Sequence, residues 1–170
     1  MIKVLFVCLG NICRSPMAQA IFAHEIAQRG LQDQVSCDSA GTADYHPGEP
    51  PDDRTLKVLQ NHGITTDQQA RQVRPEDFKT FDYMLAMDQK NLNDLLDVRD
   101  TVPGATVNLC LMDAYHPERD VNDIPEDVPD PYWSQEDGFE QVYQLLLPAC
   151  QNLLDVIVEE HLTVSSPENV

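Results

Sequence analysis

A cysteine and an arginine bracket the stretch Cys8-Leu9-Gly10-Asn11-Ile12-Cys13-Arg14-Ser15-Pro16. These residue types at this spacing suit attack by a thiolate on a tetrahedral anion. A loop wrapped at a helix N-terminus aims unpaired backbone N–H groups at one point, where the helix dipole also favours negative charge. Arg14 can grip two phosphate oxygens with its planar fork, which a lysine cannot do. The same N–H array would stabilise a thiolate on Cys8, and the Ser15 hydroxyl can donate to that sulfur. Gly10 and Asn11 are the types that take left-handed or strained backbone at low cost. A Cys and an Arg at this separation are weak testimony alone, because short motifs recur by chance. The plainer reading makes Cys8 a buried strand-end thiol and Arg14 a solvated cation. The flanking elements decide between the two.

Lys3 to Val7 is a continuous apolar run, the pattern of a strand buried on both faces. Ser15 and Pro16 suit the cap and first residue of a helix. Ala18, Ile21, Phe22 and Ile26 then recur at helical spacing until Gly30. Further strands are expected at Val35–Asp38, Tyr83–Met87 and Thr106–Leu111, with helices at Asp53–Asn61 and Asn91–Val98. Asp113 to Trp133, with its prolines and acids, reads as an irregular exposed loop. A final helix is expected from a Ser134/Asp137 capping box, with a kink or break at Pro148. The alternation predicts an α/β, three-layer domain: a small parallel sheet flanked by helices, over residues 1–162, with a flexible tail at 163–170. Sites in such sheets form beyond the carboxyl ends of the strands. The loop from Cys8 therefore leaves the first strand at the right edge for chemistry.

The chain has 170 residues and a formal charge of -18. An acidic molecule repels polyphosphate backbones and anionic membranes, so no nucleic-acid or membrane partner is expected. An anionic substrate must be held by a local site. The opening apolar run is too short for a signal peptide or a span. Five cysteines at irregular spacing fit a reducing cytoplasm better than a disulfide framework. No His sits with a Cys or another His at metal-ligand spacing, so no metal and no cofactor is expected.

Departure of an alkoxide or phenoxide from phosphorus needs a proton donor. Asp120, Asp123, Glu126, Asp127 and Asp130 are all candidates, and the residues alone do not choose among them. The first loop, Ser39-Ala40-Gly41-Thr42 and Asp130-Pro131-Tyr132, in this order, resemble the low-molecular-weight protein tyrosine phosphatase family from the first strand to the last helix. The resemblance implies hydrolysis of phosphotyrosine in proteins through a phosphocysteine on Cys8, with Arg14 holding the phosphate and Asp130 as general acid and then base. It implies that Leu9, Gly10, Asn11, Ile12, Cys13 and Ser15 build the phosphate site. Leu9, Tyr45 and Tyr132 would sandwich an aromatic leaving group, with Trp133 nearby. Ser39 would bond Asn11 and support the loop. Members often carry a His where this chain has Gln68, whose role stays open. Cys13 can form a reversible disulfide with Cys8 in the family, or be a packing thiol. Cys37, Cys110 and Cys150 read as inert, and a monomer or weak dimer is expected.

Related protein arginine phosphatases carry a smaller, polar Thr at position 12, so Ile12 favours phosphotyrosine. Arsenate reductases of this fold need relay cysteines, and no Cys falls between Ala40 and Leu109. A non-catalytic phosphate-binding or redox-sensing module is the remaining alternative, and Cys8, Arg14, Ser15 and Asp130 together argue against it.

Overall fold

The first strand sits in the middle of the sheet because it is apolar on both sides. In the computed structural model, which describes residues 1–163 apart from the Glu136 side chain, β1 (Ile2–Cys8) pairs in parallel with β2 (Val35–Gly41) and β3 (Tyr83–Ala86). β3 pairs in parallel with β4 (Asn108–Leu111), giving the order β2-β1-β3-β4. Except for Thr163, the expected tail lies outside the described residues.

Side chains alternate across a strand. Val4, Phe6 and Cys8 enter one buried cluster, while Leu5 and Val7 enter another. The first face is covered by α1 (Arg14–Gln28), α2 (Asp53–Asn61) and α5 (Glu136–Ile157), which contact one another. Phe6 meets Phe22 of α1 edge to face with centroids 5.4 Å apart, a geometry that adds about 1 kcal/mol to the area buried. The other face is covered by α3 (Asp77–Thr80) and α4 (Gln89–Asp100), which supply Phe78 and Leu95. These are the three layers expected.

Several boundaries differ from the sequence reading. α1 starts at Arg14, with Cys13 at its cap position and no side-chain cap bond. Ser15 is not the cap because its hydroxyl faces Cys8 and Asn11 instead. α5 starts at Glu136, and the Ser134/Asp137 box does not form. The Ser134 hydroxyl donates to the Pro131 carbonyl at 2.7 Å and closes the preceding turn. α5 runs through Pro148 without a break. Leu146, Ala149, Cys150 and Leu153 are buried around that point, and their burial outweighs one lost backbone bond. α3, a 3-10 turn at Met112–Tyr115 and a π turn at Val158–Leu162 were not legible in the pattern. No described helix is long and apolar enough to cross a membrane.

Candidate active site

Strand order reverses direction between β1 and β3, and the cleft beyond their carboxyl ends is where such sheets bind ligands. The loop from Cys8 to Arg14 occupies that edge. It is pinned on all sides by backbone bonds: Thr42 N–H to the Cys8 carbonyl at 2.9 Å, Ala43 N–H to Leu9 at 3.0 Å and Asp52 N–H to Ile12 at 2.8 Å. Gly41 is required for this approach, because a Cβ there would meet the Leu9 carbonyl oxygen at 2.7 Å.

Inside the loop, Asn11 adopts φ 56°, the non-glycine residue described with a left-handed backbone. Gly10 has no positive φ, so the expected pair reduces to Asn11 alone. The strain is held by a saturated side chain. Its Nδ2 donates to Ser15 Oγ at 2.8 Å and to Ser39 Oγ at 2.9 Å. Its Oδ1 accepts from Gln68 Nε2 at 2.8 Å and from the Arg71 N–H at 3.0 Å. The expected Ser39–Asn11 contact is present. Gln68, left open from the sequence, is only 8% exposed and belongs to this network. Arg71 is held in turn by Asp38 and Asp77.

Cys8 and Arg14 are both buried at the base of a cavity of about 390 Å³. Cys8 Sγ lies 3.0 Å from Ser15 Oγ. Arg14 spends Nη1 on Asp88 Oδ2 at 2.8 Å and on the Val128 carbonyl at 2.9 Å. Its Nε, fully buried, has no partner among the described residues, and Nη2 makes only a 3.7 Å approach to Asp130. The fork left for an anion is thus the Nε and Nη2 edge. Burial disfavours the guanidinium charge, but Cys8, Asp88 and Asp130 more than offset it and raise its pKa. Asp88 was missed in the sequence. It caps α4 by accepting from the Asn91 N–H at 2.7 Å, and an acid directly after a buried strand was the available signal.

The remaining walls come from two loops. Leu9, Gly10, Ile12 and Cys13 line the cavity beside Tyr45, Asp130, Tyr132 and Trp133. His46 also lines it and was not foreseen. Asn11, Ser15 and Ser39 lie beneath, fully buried, and are not among the lining residues. The Asp130 side chain is 40% exposed, and its Oδ1 accepts from the Tyr132 N–H at 3.1 Å. Asp120, Asp123, Glu126 and Asp127 do not line this cavity. The Cys13 thiol is pushed far up by burial, then by Asp52, Cys8 and Asp130. Cys37, Cys110 and Cys150 lie elsewhere, and all five cysteines are free. No group of metal-ligating side chains occurs among the described residues. A sulfur, an anion-gripping fork and a half-exposed carboxyl in one cavity can perform thiol attack with proton transfer to a leaving group.

The family profile described as low molecular weight phosphotyrosine protein phosphatase matches residues 3–163. The protein of that name from Sus scrofa is 39% identical over 155 residues, covering 91% of this chain and 95% of that protein. The crystal structure of YfkJ from Bacillus subtilis superposes with a TM-score of 0.85 at 41% identity, covering 95% of this chain and 97% of that chain. A Drosophila arginine phosphatase structure superposes with a TM-score of 0.84 at 36% identity, covering 91% and 97%.

Proposed function

Because this chain belongs to the low molecular weight phosphotyrosine protein phosphatase family, and so is a phosphatase, we propose that it hydrolyses phosphotyrosine in proteins through a phosphocysteine on Cys8. The observation that carries the proposal is the shared cavity of the Cys8 sulfur, the free Nε edge of Arg14 and the Asp130 carboxyl. In the first step the Cys8 thiolate attacks phosphorus and the P–O bond to tyrosine breaks. Asp130 gives its proton to the departing phenoxide. Arg14 and the loop N–H groups bind the equatorial oxygens, where phosphoryl transfer concentrates charge. In the second step Asp130 takes a proton from water, the oxygen attacks phosphorus, and the thiolate leaves with the Ser15 hydroxyl beside it. Nothing in this sequence calls for a metal or cofactor.

Tyr45 and Tyr132 offer aromatic walls to a phenolic ring, and Ile12 keeps the cavity apolar beside the phosphate. The arginine phosphatase relative makes phosphoarginine the second reading. We place the enzyme in the cytoplasm as one domain, monomeric or weakly dimeric, with free thiols suited to a reducing compartment. Cys8 and Cys13, on one cavity, form a reversible disulfide under oxidation. Hydrolysis of para-nitrophenyl phosphate without added metal, abolished in Cys8→Ser, is the test of the covalent mechanism. Activity retained in Cys8→Ser ends it.

A further inference from the structure

The segment that carries Asp130 has no regular structure from His116 to Gln135, so something else must set the position of its carboxyl. Arg54, in the first turn of α2, reaches across to it. Its Nη2 donates to the Tyr132 carbonyl at 3.1 Å and its Nη1 to the Ser134 carbonyl at 3.1 Å. The guanidinium is aimed by Asp52, which accepts from Nε and Nη2 at 3.0 Å each, and it lies 4.4 Å over the Phe139 ring. Tyr132 joins this hold to the carboxyl. Its carbonyl is gripped by Arg54, and its N–H donates to Asp130 Oδ1. On the other side, the Asp52 N–H donates to the Ile12 carbonyl and Thr55 Oγ1 to the Cys13 carbonyl at 3.4 Å. One helix end therefore fastens the nucleophile loop and the acid segment to each other.

We infer that Arg54 is a positioning residue that fixes Asp130 relative to Cys8. The inference rests on Asp130 being the general acid. A planar fork is needed because one group must meet a carboxylate and two carbonyls in fixed directions, which a lysine cannot do. A misplacement of about 1 Å can cost on the order of 100-fold in rate.

The readout is leaving-group dependence, measured as kcat/KM, which covers events up to departure of the first product. Arg54→Lys should lower kcat/KM about 10-fold or more for phenyl phosphate, whose leaving oxygen needs a proton. For 2,4-dinitrophenyl phosphate, whose leaving oxygen needs none, the loss should stay under about 3-fold. Inhibition by inorganic phosphate should not change. In an Asp130→Asn background, Arg54→Lys should add nothing further, the signature of action through Asp130. Equal loss for both esters, or additive loss in the double variant, overturns the inference. If Asp130→Asn alone affects both esters equally, the general-acid assignment falls and the inference falls with it. Should Arg54→Lys not fold, Asp52→Asn, which frees the guanidinium but keeps a capping oxygen, must show the same selectivity for the poor leaving group.

Discussion

The Ser15 hydroxyl lies 3.0 Å from the Cys8 sulfur while accepting a hydrogen bond from Asn11 at 2.8 Å. With that lone pair occupied, the single Ser15 proton has two destinations, the sulfur or the Ala40 carbonyl at 3.5 Å. The sulfur is nearer, relative to its larger radius, and carries charge when it leaves phosphorus. Ser15→Ala should therefore slow breakdown of the phosphoenzyme more than its formation. A hydrogen bond to a charged group is worth about 1.5–3 kcal/mol, so kcat should fall about 10- to 100-fold. Burst kinetics with para-nitrophenyl phosphate would show accumulation of phosphoenzyme. An unchanged kcat would remove Ser15 from the mechanism.

Asn11 combines four hydrogen bonds with a left-handed backbone. Asn11→Ala strands buried partners and leaves a β-carbon at φ 56°, and should cost about 3 kcal/mol in denaturant unfolding. Asn11→Gly loses the same bonds but relieves the backbone, and should recover about 1 kcal/mol of that. If the two variants unfold alike, the strain at this residue is not stored in its φ.

Much of this was legible before the structure, for reasons that differ by element. β1 read clearly because both faces are buried, so its apolar run needed no partner to interpret it. α2 was bounded as Asp53–Asn61 from sequence, with Gly63 as its stop, while the Asp52 cap that starts it emerged only in the structure. The role of Gln68 was not legible, since its partner Asn11 lies far away in the chain and nothing local distinguishes a buried Gln. Asp88 was hidden for the same reason: its meaning depends on Arg14 arriving from another element. Ser134 misled because its hydroxyl suits a cap and a turn equally, and tertiary context chose the turn. The nucleophile loop was readable because strand, turn and helix lie in one short stretch. The acid was not readable from the residues alone and was named only through the family resemblance, because it is the fold that brings Asp130, and not Asp127, to Arg14.

Ile12 lines the cavity and is almost fully buried, with its carbonyl engaged by Asp52. Replacing it by Thr keeps the β-branch and introduces a hydroxyl beside the phosphate. The ratio of phosphoarginine to phosphotyrosine turnover should rise about 10-fold, the scale of one group in a pocket. A ratio that does not move would mean that specificity resides in Tyr45 and Tyr132 instead.

Cys13 has its thiol pushed far up by burial and by neighbouring negative charge. Peroxide should oxidise Cys8 first, releasing water and leaving a sulfenic acid. Cys13 must then lose its proton before its sulfur can displace hydroxide and close the disulfide. Its thiolate fraction grows about tenfold per pH unit below that high pKa. Recovery by added thiol after peroxide should accordingly be more complete at pH 8 than at pH 6. Cys13→Ser should recover poorly at both. Full recovery of Cys13→Ser would show that Cys13 is only a packing residue.

Asp52 ties the resting geometry of the site to acid stability. Burial alone would raise its pKa, but the hydrogen bonds and charge of Arg54 outweigh that and hold it below the ordinary value of 3.8. A carboxyl depressed in the folded state binds fewer protons there than in the unfolded chain. Its stabilising contribution is therefore present above pH 3.8 and is lost as pH falls through the lower folded value. Other carboxylates also titrate in this range, so the test compares unfolding of the parent with Asp52→Asn across pH 6 to 2.5. The parent should be the more stable above about pH 4, and the gap should narrow steadily below it. A stability gap that does not depend on pH would show that the Asp52 carboxylate acts only as a neutral cap.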